Sequence, residues 1–297
     1  METNREKSPI VVGIDEGPES VVALRWAAQE AATTYSPLVL VHAFEWLPQT
    51  RLGRDDYYFP LRDEGLDKTA REQYEQNAKE MLADATAIVN ESGSGLEVET
   101  KVVEGVPFET LEVEARNASL LVLGSHSRGL LGRMLLGSVS SAIASDPPCP
   151  VAVVRTHTRA VPVEATDMPV VAGFDGTPAS RTALAFAADH AARHGSQLIV
   201  VHAFHPVDQR TAGSVSEQAG RRTAWLRENV QMIEKDHPGL HVTCTVTEHR
   251  PAQALVEWSV AARLIVVGTG GRRAYTGSVS QALLHHSWSP VVVIPEA

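Results

Sequence analysis

An α/β fold built twice in tandem, with two doubly wound domains, is what this 297-residue sequence predicts, on three observations. The chain repeats itself. Val11-Val12-Gly13-Ile14-Asp15 returns 160 residues later as Val171-Ala172-Gly173-Phe174-Asp175, and Leu38-Val39-Leu40-Val41-His42-Ala43-Phe44 returns at the same offset as Leu198-Ile199-Val200-Val201-His202-Ala203-Phe204. Leu121-Val122-Leu123-Gly124 recurs at offset 144 from Ile265, and Gly137-Ser138-Val139-Ser140 at offset 140 from Gly277. Second, short near-continuous apolar runs alternate with segments of helical periodicity, the pattern of parallel strands covered on both faces. Third, the length suits two domains of roughly 150 residues, each large enough for a core.

Along the first copy, Ile10 to Ile14 reads as a strand closed by the turn Asp15-Glu16-Gly17-Pro18. Ser20 to Thr33 is alanine-rich with Val21, Leu24, Ala28 and Ala31 at helical spacing. Leu38 to Phe44 is a buried strand. An irregular stretch follows, with Trp46, Tyr57, Tyr58 and Phe59 as a candidate lid or as aromatics packed on the domain. Leu66 to Asn90 suits a long amphipathic helix, and Leu96 to Val103 a third strand. Pro107 to Asn117 is a short helix with proline at its start. Leu120 to Leu123, Ser138 to Ser145 and Val151 to Val154 complete the unit as strand, helix and strand. The second copy repeats the order, with strands near 170–174, 198–204, 241–247, 264–267 and 291–294. The domains are therefore set at residues 1–156 and 169–297, with 157–168 as linker. Each is a Rossmann-like five-stranded parallel sheet with helices on both faces. The apolar last strands, Val151 to Val154 and Val291 to Ile294, are candidates for pairing the two domains within the chain.

Bulk properties narrow the function. Hydrophobic residues at 43% and charged residues at 21% describe a folded globular protein rather than a disordered one. A net charge of -10 argues against a nucleic-acid partner, which calls for a basic face. Cys149 and Cys244 occupy unmatched positions and show no metal-ligand spacing, so they read as free thiols in a reducing cytoplasm. The start of the chain lacks the apolar core of a signal peptide, and no run is long enough to span a membrane.

In a doubly wound sheet the ligand lies beyond the carboxyl ends of the strands, at the switch point, here between the first and fourth strands. The loop after strand four runs Gly124-Ser125-His126-Ser127-Arg128-Gly129-Leu130-Leu131-Gly132-Arg133 and on to Gly137-Ser138-Val139-Ser140. Glycines let backbone approach a ligand, and a helix opened by Gly137-Ser138 presents free N–H groups to an anion. Ser138 and Ser140 add hydroxyls, and Arg128 and Arg133 add positive charge. The same residues also describe a glycine-rich surface loop followed by a serine cap. Strand one ends in Asp15, which repels phosphate and so faces a ribose hydroxyl or a phosphate-bound divalent cation, or simply caps the turn. His42 and His202 read as structural histidines; the adjacent His285 and His286 do not share a helix face, which disfavours a metal role. No nucleophile–base order stands out, so the chain reads as a binding protein rather than an enzyme.

Taken together, the strand-one aspartate, the L-V-H-A strand, the G-2X-G-9X-G-[ST] loop before a V-S helix and the C-P-V-x-V-V strand resemble the universal stress protein family, in particular its tandem members. The resemblance covers nearly the whole chain. It implies ATP binding, with magnesium carried by the nucleotide. Gly13, Ile14 and Asp15 would line the nucleoside, with Asp15 on the ribose and the Ala43 backbone at the adenine. Leu123 and Gly124 would flank ribose and phosphates, His126 and Ser127 would lie along the loop, and Gly137, Ser138, Val139 and Ser140 would hold the phosphates. The second-copy counterparts are Gly173, Asp175, Ala203, Gly268, Gly271, Gly277, Ser278, Val279 and Ser280. Two departures stand out. Ser127 replaces the loop's second glycine, and the second copy has five residues rather than nine before Gly277. The first copy is expected to bind ATP, the second weakly, differently or not at all. The resemblance implies a stress-response regulator whose nucleotide state alters self-association, as a possible homodimer, or contact with a regulatory protein. The rival readings are a nucleotide-independent scaffold and a slow ATP hydrolase.

Overall fold

In the computed structural model, residues 7–46, 64–91, 95–125, 137–155, 168–204, 214–270 and 278–296 are described. The first half runs β1 (Ile10–Gly13), α1 (Pro18–Thr34), β2 (Leu38–Phe44), α2 (Glu64–Glu91), β3 (Val98–Glu104), α3 (Pro107–Ala115), β4 (Leu120–Gly124), α4 (Ser138–Ser145) and β5 (Val151–Val154). The second runs β6 (Val170–Gly173), α5 (Pro178–Arg193), β7 (Leu198–Ala203), α6 (Val215–Asp236), β8 (Val242–Thr247), α7 (Pro251–Ser259), β9 (Leu264–Gly268), α8 (Ser278–His286) and β10 (Val291–Ile294). Helix α1 starts at Pro18, two residues before the sequence-based boundary, because proline's fixed φ suits the first helical position. Strand β3 starts two residues later than expected, at Val98.

All ten strands form one sheet, in the order β3-β2-β1-β4-β5-β10-β9-β6-β7-β8. Within each half every pairing is parallel; the halves meet where β5 and β10 pair antiparallel, with Ala152 opposite Val292. These two residues are equivalents at offset 140, and Val151 and Val153 pair with Val293 and Val291. A pseudo-twofold axis therefore passes through the Ala152–Val292 pair.

Alternate side chains feed two continuous cores. Ile10 and Val12 belong to the core that also holds residues of α1, α2, α5 and α6, and Val11 to the core with residues of α3, α4, α7 and α8. Each core runs across the seam from one half into the other, so the halves share apolar burial rather than enclosing it separately. The central strands are buried throughout, whereas the outermost strands β3 and β8 are only partly covered. Charged residues such as Glu99 and Lys101 on β3 discourage further strand addition at that edge.

Candidate functional site

Strands β1 and β4 lie side by side with Gly13 opposite Leu123, so their carboxyl ends open on the same side, at the point where strand order reverses. In the second half, β6 and β9 do the same. There a cleft of about 200 Å³ is lined by Gly173, Phe174, Asp175, Ala203, Gly268, Val279 and Ser280, with Thr177, Ser180 and Leu255 also on its wall. The second-copy candidates Gly173, Asp175, Ala203, Gly268, Val279 and Ser280 are thus brought together. Gly271, Gly277 and the Ser278 side chain lie outside the described residues, as do His126, Ser127, Arg128, Gly129 and Arg133 of the first-half loop and the aromatics Tyr57, Tyr58 and Phe59. Trp46 is described, and its ring packs at 6.4 Å from that of Tyr74.

Each aspartate is held by the turn it closes. Asp15 Oδ1 accepts the Gly17 amide at 2.8 Å and the Ser20 hydroxyl at 2.5 Å, and Ser20 Oγ accepts the Asp15 amide. Asp175 Oδ1 accepts the Thr177 amide at 3.0 Å and its hydroxyl at 2.6 Å. Burial pushes the Asp175 carboxyl up, but these hydrogen bonds outweigh it and hold the group below the usual carboxylate range. It is an anion at neutral pH, suited to accept hydroxyl hydrogen bonds or to face a cation. Sequence reasoning misses Ser20, Thr177 and Ser180. A signal for them exists, since Ser20 and Ser180 stand 160 residues apart at the start of equivalent helices.

The repeated histidine has a positional role. His42 Nδ1 lies 2.9 Å from the Ile14 carbonyl and His202 Nδ1 lies 2.8 Å from that of Phe174. Read as an N–H donor, each ring ties strand two to the residue just before the aspartate. Burial lowers the His202 pKa, consistent with a neutral ring in that role.

Residues around the glycine-rich loop also have structural partners. A Cβ at Gly124 would meet the Glu19 backbone at 2.8 Å, so its lack of side chain serves the packing of α1 on β4. Gly268 does the same against Ala179. The Ser140 hydroxyl donates to the Gly124 carbonyl at 2.9 Å and fixes the end of β4 against α4. Ser125 is buried and its Oγ accepts from Arg155 Nε at 3.2 Å, which places it beneath the strand ends. The start of α4 does keep the expected form: Gly137 caps it without a side-chain hydrogen bond, leaving first-turn amides for another acceptor.

The fold and this cleft define a class: a duplicated doubly wound α/β protein with a cleft at the switch point of its second half. The universal stress protein family profile matches residues 8–155 and again 168–295. A universal stress protein of Mycobacterium tuberculosis is 34% identical over 307 residues, covering 99% of both chains. Another, from Mycolicibacterium smegmatis, is 33% identical over 293 residues, covering 96% of each. Among solved structures, a universal stress protein from Archaeoglobus fulgidus covers 97% of this chain and 98% of its own, with a TM-score of 0.73 at 20% identity. The chain belongs to the universal stress protein family. Among the described residues, no helix is long and apolar enough to cross a membrane.

Proposed function

We propose that this chain is an adenine-nucleotide-binding stress-response protein of the cytoplasm, with ATP and its magnesium at the carboxyl ends of β1 and β4 and a weaker or altered site at β6 and β9. Residues 1–156 and 169–297 act as its domains, joined by 157–168. The observation that carries this reading is the cleft lined by Asp175, Ala203, Gly268 and Ser280. Its lining recurs in the first half as Asp15, Ala43, Gly124 and Ser140. An ionised carboxylate beside strand ends suits a ribose, and uncapped helix amides suit phosphate. The asymmetry rests on the loop before Gly277, which has five residues where the first half has nine. The two cysteines are free, in keeping with a reducing compartment. The regulatory output runs through nucleotide-dependent contact with a protein partner or a second chain.

Equilibrium dialysis against micromolar Mg-ATP tests the reading. The wild-type chain is expected to retain about one nucleotide tightly, Asp15→Ala and Gly137→Ala to lose at least ~10-fold in affinity, about the 1.4 kcal/mol of one good polar contact, and Asp175→Ala to leave the tight component intact. Equal retention by all four proteins would remove the site assignment. The shortened second loop favours a partial rival, in which that half serves as a nucleotide-independent scaffold; two equivalents bound with equal affinity would exclude it.

A further inference from the structure

The pseudo-twofold axis brings α1 against α5, and equivalent positions of the two halves meet there. The buried face recurs at offset 160 with little change: Ala23, Leu24, Ala27, Ala28 and Ala31 match Ala183, Leu184, Ala187, Ala188 and Ala191. Besides Glu19, whose equivalent is Ala179, the chemistry of this face changes where Glu30 answers to His190. These two touch each other. His190 Nε2 lies 3.1 Å from Glu30 Oε1, and His194 Nε2, one turn further, lies 3.0 Å from the same oxygen. Glu30 and His190 are 5% and 2% exposed. From the segment just before β9, an Arg263 nitrogen lies 3.2 Å from His194 Nδ1. That donor makes His194 Nδ1 the acceptor and leaves the hydrogen on Nε2, aimed at Glu30. It also argues against a metal ion on His194 Nε2, which would put two donors face to face at Nδ1.

We propose that the Glu30–His190 contact makes this seam select the sister half and reject a second copy of either half. In a twofold interface a residue near the axis meets its own equivalent. Closure of two first halves would set Glu30 against Glu30, two buried carboxylates that cannot both stay charged beside each other. Closure of two second halves would set His190 against His190 with no carboxylate between them, so at most one ring could donate to the other. Only the mixed pairing supplies one carboxylate for the imidazole N–H groups. The repeat has thus diverged, at this position on the axis, into a complementary pair. A second chain therefore has to dock elsewhere on the molecule.

Four full-length proteins test this, because they represent all pairings at the axis: wild type, Glu30→His, His190→Glu and the double exchange. Urea unfolding at pH 7 is the readout. Glu30→His and His190→Glu are each expected to lower the folded-to-unfolded ratio, the second on the order of 100-fold, as for a broken buried pair. The double exchange is expected to recover at least half of the loss, on a logarithmic scale, seen with His190→Glu alone. A second readout separates charge from fit: the His190→Glu protein should gain stability as pH falls from 7 to 5, when one carboxylate takes a proton, while wild type should not. If both single variants are too unstable to measure, the double exchange still decides, since a mere loss of fit leaves it equally unfolded. Additive losses, or a His190→Glu protein that loses stability in acid as wild type does, would overturn the proposal.

Discussion

At the scale of single residues, recurring Gly and His positions build the frame of the site. Gly124 sits against backbone atoms of Glu19 and Ser20, which have no flexible end to yield. Gly124→Ala should therefore destabilise the fold by about 1–3 kcal/mol, the range for overpacking, read as a lower urea midpoint with an unchanged denaturant slope. Gly95 has open space around it but a φ of +61°, so Gly95→Ala should cost about 1 kcal/mol, for the different reason of left-handed backbone. His42 is buried and ties β2 to the Ile14 carbonyl beside Asp15. His42→Phe keeps most of the volume and removes that bond. It should cost about 1 kcal/mol of stability and, if Asp15 contacts nucleotide, weaken Mg-ATP binding as well, measured on the same protein by calorimetry. Loss of stability with unchanged affinity would show that the histidine holds the strand without placing the aspartate.

At the scale of elements, periodicity makes most of the fold legible in the sequence. The bounds of β2, α4 and β5 are readable to the residue, because each is closed by strong punctuation: Pro37 precedes β2, Gly137 precedes α4 and Pro150 precedes β5. Strand β3 and helix α3 are less sharp, since β3 is a half-exposed edge strand and Arg116-Asn117 continues the helical pattern as a turn. Side-chain roles inside the glycine-rich loop are the least legible. A serine after a strand looks the same in sequence whether it faces a phosphate or, like Ser140, a main-chain carbonyl one element away. The helix starts also differ in ways only geometry reveals. Helix α6 carries a full capping box, with the Ser214 hydroxyl accepting the Glu217 amide at 3.2 Å and the Glu217 carboxylate accepting the Ser214 amide at 2.8 Å. Ser214→Ala should cost about 1 kcal/mol, seen as a lower urea midpoint. By contrast α4 has no side-chain cap at Gly137, and Gly137→Asp, which supplies one, should raise stability while opposing phosphate binding.

At the scale of the whole molecule, two repeats have become one sheet with a buried polar contact at its axis, and that contact ties stability to pH. The repeat in the sequence announces two units and nominates their last strands as the joint. It does not show that Glu30 and His190 meet, because contact across the axis depends on how β5 and β10 register, with Ala152 opposite Val292. At Glu30, burial pushes the carboxyl up, but attraction from His190 and hydrogen bonds from His190 and His194 hold it well below the usual range. At His190, burial drives the imidazole below its ordinary value of 6.5 in spite of Glu30. Facing these two groups are His194, on the same helix, and Arg263, from the segment before β9. Both shifts are downward, so both act in one direction. The unfolded chain takes up a proton at His190 as pH falls below about 6.5 and at Glu30 below about 4.5, while the folded chain resists both. Stability from this contact is therefore complete above pH 6.5 and is lost progressively in acid, with His190 responsible for the first part of the loss. One such group contributes at most about 1.4 kcal/mol per pH unit. Urea midpoints measured from pH 8 to pH 5 should be level at first and then fall below pH 6.5. In His190→Asn the fall between pH 6.5 and 5 should shrink, though His202, lowered in the same direction by burial, keeps part of it. An identical fall in that variant would move the acid sensitivity from the seam to His202.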